Sequence, residues 1–80
     1  MTNPAPHPRP SRDKILDCAE RLFARRGFTG TGLAEVAEEV GLSKSSLFHH
    51  FSSKAQLYAA VMGRILTRIE GDLVRSLAAG

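Results

Sequence analysis

The stretch "LAEVAEEVGLSKSSLFHHF", residues 33–51, constrains the chain more than any other, because one glycine divides two short apolar patterns. Leu33, Val36, Ala37 and Val40 recur at i, i+3, i+4 and i+7, the spacing of one helix face. Gly41 then interrupts the pattern, and Ser43, a residue type that caps helices, opens a second segment carrying Leu47 and Phe51. A reversal this tight needs a residue that accepts positive φ, which glycine does without a Cβ penalty. Ala37 is small where two helices would cross closely, and Val36, Val40, Leu42 and Leu47 are the apolar positions that fix their angle. The pattern is that of a helix-turn-helix.

The flanks extend the same helical grammar. Ile15, Cys18, Ala19, Leu22 and Phe23 form a continuous stripe from Asp13 onward, with Ser11 as a plausible cap. Arg25 and Arg26 stand at the helix end, followed by Gly27 as a stop. "FTGTG" reads as a turn from which Phe28 can fold back on the core, and Thr31 is placed to cap the next helix. The expected helices are 13–26, 32–40 and 44–51, then a long connecting helix over 54–78. No strand-like alternation appears, so the fold class is all-α: a three-helix homeodomain-like headpiece over 12–53 followed by a long fourth helix. Residues 1–11 hold all four prolines and no acid, and they read as a disordered basic arm.

Function is argued by exclusion and then by placement. A single cysteine, Cys18, permits no internal disulfide and fits a reducing compartment. The N-terminus has no apolar signal core, and no run approaches the roughly 18 apolar residues of a membrane span. A cytoplasmic protein is expected. His49 and His50 are adjacent, so on a helix they point about 100° apart and are poorly placed to chelate one ion. No Cys, Asp or Glu nearby completes a ligand set, and no acid in the segment could orient a histidine as the base of a serine nucleophile. No metal, no cofactor and no enzymatic activity are expected.

The formal net charge is +3, and Asp and Glu are absent between Glu39 and Glu70, an interval holding Lys44, Lys54, Arg64 and Arg68. If that interval folds together, a positive surface follows. On the 44–51 helix, Leu47, His50 and Phe51 are expected to face inward, with His50 bonded to a backbone group. Lys44, Ser45, Phe48 and His49 face outward, where they can meet phosphates and base edges. Phe48 has two readings: partial core packing, or contact with a thymine methyl or a sugar. Thr31 and Lys54 begin helices, whose free N–H groups favour anions, so both are placed to clamp phosphates. With Arg9, Arg12, Lys44 and Lys54 all on phosphates, affinity would fall with salt at a log–log slope of about −3 to −4.

The run from "RDKILDCAERLFARRGF" through "LAEVAEEVGLS" to "SLFHHFSSKAQLYAAV" resembles the N-terminal DNA-binding domain of the TetR family of bacterial transcriptional regulators. The resemblance covers residues 12 to about 62. It implies DNA contacts from Thr31, Lys44, Ser45, Ser46, Phe48, His49 and Lys54. It also implies a sequence-specific regulator, commonly a repressor, that works as a homodimer on a palindromic double-stranded operator. A small-molecule inducer would act through a C-terminal domain. The chain departs from the family pattern where Phe48 stands in place of a common tyrosine and Gly32 in place of a usual Thr or Ser. Each change removes a hydroxyl that could bond a phosphate.

The ligand-binding domain implied by the family would follow the fourth helix, where this chain has "SLAAG". A fragment of a longer regulator is therefore expected. Val61, Ile65, Ile69 and Leu73, joined by Met62, Leu66 and Leu77, continue an apolar stripe beyond what the headpiece can cover. The stripe supports an alternative: an interaction protein that dimerises through the fourth helix with little DNA binding of its own. Membrane-surface association through "RILTRIEGDLVRSL" is a third reading, weakened by Glu70 and Asp72 on its charged face.

Overall fold

A computed structural model of the chain describes residues 11–79. Four helices follow in order: α1 (Ser11–Arg26), α2 (Leu33–Val40), α3 (Lys44–His50) and α4 (Lys54–Ala79). Ser11 is already part of α1, so it does not stand ahead of the helix as a cap. The proposed arm therefore loses its last residue to α1, and residues 1–10 lie outside the described residues.

The stripe on α1 is what the fold is built around. Ile15, Leu16, Cys18, Ala19, Leu22 and Phe23 are all buried. They meet Val36 and Ala37 from α2, Leu47 and Phe51 from α3 and its end, and Leu57 and Val61 from α4. Burying such side chains contributes roughly 1.5–3 kcal/mol each against leaving them in water. Helices as short as α2 and α3 cannot stand alone, so this shared core holds them. Two further ties join α1 to α2: Arg21 pairs with Glu39 at 3.1 Å, and Arg26 pairs with Glu35.

Gly41 makes the turn that the sequence calls for. Its φ is +86°, and its N–H donates to the carbonyls of Ala37 and Glu38. The Leu42 N–H reaches Ala37 O at 2.9 Å, completing a Schellman end that satisfies the last carbonyls of α2. Ser43 caps α3, its Oγ accepting from the Ser46 N–H at 3.1 Å. Gly27, with φ +76°, ends α1 in the same left-handed way.

The start of α2 corrects an expectation. Its cap is Gly32, which has no side chain to offer, and Thr31 is instead 1% exposed. The Thr31 hydroxyl donates back to Gly27 O at 2.9 Å. It closes the α1–α2 turn and caps nothing.

Only the first half of α4 packs. Leu57 and Val61 are buried, and Tyr58, Ala60 and Ile65 are partly covered. Leu66, Ile69, Leu73, Val74 and Leu77 are 57–73% exposed. No helix among the described residues is long and apolar enough to cross a membrane.

Candidate nucleic-acid interface

The short helix α3 presents nearly all of its surface. Of its seven residues only Leu47 is buried, and Lys44, Ser45, Ser46, Phe48, His49 and His50 are exposed. The outward face thus carries a cation, two hydroxyls, an aromatic ring and two imidazoles. Ser43 Oγ also donates to Ser46 Oγ at 3.0 Å and lies 3.3 Å from Ser45 Oγ. The cap residue therefore holds both neighbouring hydroxyls in place on the first turn.

His50 does not take the inward position expected of it. It is exposed and has no hydrogen-bond partner among the described residues. The helix ends at His50, and Phe51 adopts extended backbone angles, φ −138° and ψ 118°. That departure swings the Phe51 ring into the core, where it is 3% exposed. Once Phe51 fills the position, His50 is left on the solvent side beside His49.

Phe48 is 40% exposed, so part of its ring is open on the outward face of α3. Thr31, by contrast, offers no side-chain atom to a duplex. Its hydroxyl is buried and already donates inward.

Lys54 has partners within the fold. Its Nζ donates to Phe28 O at 2.7 Å and to Thr31 O at 2.9 Å. The same ammonium lies 4.4 Å from the Phe28 ring centroid. Phe28 in turn packs edge-on against Tyr58 at 5.1 Å, and Tyr58 meets Phe23 at 4.9 Å. A cation in the first turn opposes the helix dipole. Its hydrogen bonds to two carbonyls of the α1–α2 turn offset that cost. Lys54 staples the turn to the start of α4 through its ammonium.

Arg64 and Arg68 are also spent internally. Arg64 pairs with Asp17 at 2.8 Å and Glu20 at 2.7 Å, and Arg68 reaches Glu20 at 3.2 Å. Hydrogen bonds from Arg68 and then Arg64 hold the Glu20 carboxyl below its ordinary range. The cluster fastens α4 to α1 on the flank of the bundle. Of the four cations in the acid-free interval, Lys44 alone has no such partner among the described residues. Arg12, placed in α1, sets its guanidinium 5.1 Å over the Phe51 ring, near the end of α3. Arg9 lies outside the described residues.

One local device at this surface escaped the reading of the sequence. Ser53 caps α4, accepting from the Gln56 N–H at 3.1 Å. The Gln56 side chain reaches back to the Ser52 N–H at 3.0 Å and to the Ser52 hydroxyl at 2.7 Å. The Ser53–Gln56 spacing, S-x-x-Q, is the signal that could have shown it.

Comparison with known proteins adds the following. The family described as bacterial regulatory proteins, tetR family, matches residues 15–61. The transcriptional activator FasR of Mycolicibacterium smegmatis is 43% identical over 66 residues, which are 82% of this chain and 30% of that protein. IcaR of Staphylococcus aureus, the negative transcriptional regulator of a biofilm operon, is 45% identical over 47 residues, 59% of this chain and 25% of that protein. A crystal structure described as a tetR family transcription regulator from Shewanella sp. PV-4 superimposes with a TM-score of 0.66 at 42% identity. That match covers 68% of this chain and 29% of the other. The chain therefore spans no more than about a third of these relatives' length.

Proposed function

This chain belongs to the tetR family of bacterial regulatory proteins, and on that premise we propose that it binds double-stranded DNA sequence-specifically, with α3 in the major groove. The observation that carries the reading is the outward face of α3, where Lys44, Ser45, Ser46, Phe48 and His49 are exposed on a helix whose single buried residue is Leu47. Lys44 meets a phosphate or a guanine edge, Ser45 and Ser46 a base or phosphate, and His49 a base edge or backbone oxygen. Lys54 contributes by positioning the α4 start, whose first N–H groups face an anion.

In the full-length regulator two such headpieces act as a homodimer on a palindromic operator, and an inducer acts through a domain outside this chain. Repression by occupying the operator is the favoured mode, since it needs nothing beyond the headpiece on DNA. The relatives include one activator and one negative regulator, so a related headpiece serves both signs of control.

The test is a titration of duplex DNA across ionic strength, with an operator selected from a random library. Each phosphate neutralised contributes about −0.9 to the log–log slope, and Lys44→Ala should reduce its magnitude by about that amount. With Lys54 engaged internally, the slope should be shallower than four free cations would give. Salt-independent binding, or failure to select any preferred sequence, would overturn the proposal.

A second reading rests on the distal half of α4, whose Leu66, Ile69, Leu73, Val74 and Leu77 are exposed. In that reading the chain associates through this face and DNA binding is residual. Sedimentation of the chain with and without Leu66→Lys and Leu73→Lys distinguishes the two: loss of self-association with unchanged DNA affinity assigns the face to assembly alone.

A further inference from the structure

We propose that Phe48 is a specificity-determining residue that reads the 5-methyl group of a thymine in the major groove. The inference rests on the DNA-binding reading above and extends it to a base. Phe48 stands in the middle of the outward face, four residues after Lys44 and three after Ser45, so those side chains flank it on adjacent turns. Its ring is 40% exposed and outside the core cluster. It has no aromatic or cationic partner among the described residues.

Phe28 shows that the same exposure need not mean the same thing. It is 39% exposed, yet it stacks with Phe23, meets Tyr58 edge-on and carries the Lys54 ammonium over its face. Its ring makes aromatic and cation–π contacts within the fold, and the Phe48 ring makes none among the described residues. The other large exposed apolar side chains, from Met62 to Leu77, all lie on α4. Phe48 is thus an isolated apolar group set among hydroxyls, imidazoles and a cation.

An isolated ring in such a setting suits a partner that is polar but presents one small apolar group. The major-groove edges of the bases present donors and acceptors, and the thymine methyl is their single apolar feature. A phenyl ring cannot donate to phosphate, which removes the backbone bond available to a tyrosine. Over a cytosine it would cover the N4 donor without pairing it, which is unfavourable. The ring therefore favours thymine by contact and disfavours cytosine by desolvation.

The experiment uses the operator selected with the chain, with each thymine in turn replaced by deoxyuridine, which deletes the methyl and leaves the hydrogen-bonding edge intact. At one position per half-site the wild-type chain should lose affinity about fourfold, the effect of one buried methyl-sized group. Phe48→Ala should bind the thymine and uracil duplexes equally, while Ser45→Ala should keep the discrimination. Placing cytosine at that position should weaken wild-type binding, and 5-methylcytosine should restore part of it, again only with Phe48 present. Circular dichroism should show Phe48→Ala folded. If an operator is selected but no thymine is sensitive, or sensitivity persists in Phe48→Ala, this proposal is overturned while the DNA-binding reading stands. Equal weakening of Phe48→Ala on every duplex, without thymine sensitivity in the wild type, would assign the ring to a sugar and likewise overturn it. Failure to select any operator would overturn the underlying reading instead.

Discussion

Replacing Lys54 with methionine tests whether its ammonium serves the fold or the DNA, because the substitution keeps an unbranched stem and deletes the charge. In the folded chain that ammonium donates to Phe28 O at 2.7 Å and Thr31 O at 2.9 Å and covers the Phe28 ring at 4.4 Å. A hydrogen bond involving a charged group contributes about 1.5–3 kcal/mol net, and an exposed cation–π contact about 0.5–1. Lys54 is only partly buried, so water competes for both bonds and the low end of the range applies. Relief of the unfavourable charge at the helix start returns a further 0.3–1 kcal/mol or so. The net cost should be about 3 kcal/mol. For a domain of this size that lowers the melting temperature by roughly 12–24 °C. The assays are thermal melts followed at 222 nm and DNA titrations at several salt concentrations. The salt slope should be unchanged, because no phosphate contact is lost. An unchanged melting temperature together with a slope shallower by about 0.9 would refute the reasoning, placing the ammonium on a phosphate and not on the two carbonyls.

Two glycines should respond in opposite directions. Gly41→Ala should destabilise by about 1–2 kcal/mol, because its φ of +86° is costly for a residue with a Cβ. Gly32→Ser should stabilise by about 0.5–1 kcal/mol in denaturant melts: its φ of −109° suits any residue, a Cβ there meets open space, and a serine can cap α2. Glu20, whose carboxyl is held below its ordinary value of 4.5 by Arg68 and then Arg64, contributes stability that is present above that value. This contribution is lost as pH falls through the folded-state value, so melting temperature should drop more steeply on acidification in wild type than in Glu20→Gln. Cys18 is buried, and burial followed by the Glu39 charge raises its thiol to about 11. Thiol reagents at about pH 8 should therefore label the native chain only as fast as it opens, and complete labelling within the mixing time of a folded sample would contradict this.

The elements, and the joint between two of them, are legible in the order of residues alone. The α1 stripe, the Gly41 reversal, the Ser43 cap and the long fourth helix are all set by contacts within a turn or two of chain. Such contacts leave periodic or positional marks that can be read residue by residue. The outward placement of Lys44, Ser45 and His49 follows from the same local geometry. Even there the periodicity misled at its end: a helix of seven residues stops before its stripe is complete, so Phe51 faces inward as expected while His50 is left outside. Where the polar ends of side chains go depends instead on how the helices pack. Lys54 finds a carbonyl 23 residues away, and Arg64 finds a carboxylate 44 residues away. Thr31 is buried and its hydroxyl donates to Gly27 O, although its position at a helix start suggests a cap. A charged or hydroxyl group at a helix start looks the same in sequence whether it meets a phosphate or a distant backbone. The choice depends on which acceptor the packed helices bring within about 3 Å, and that distance exists only once the core has formed.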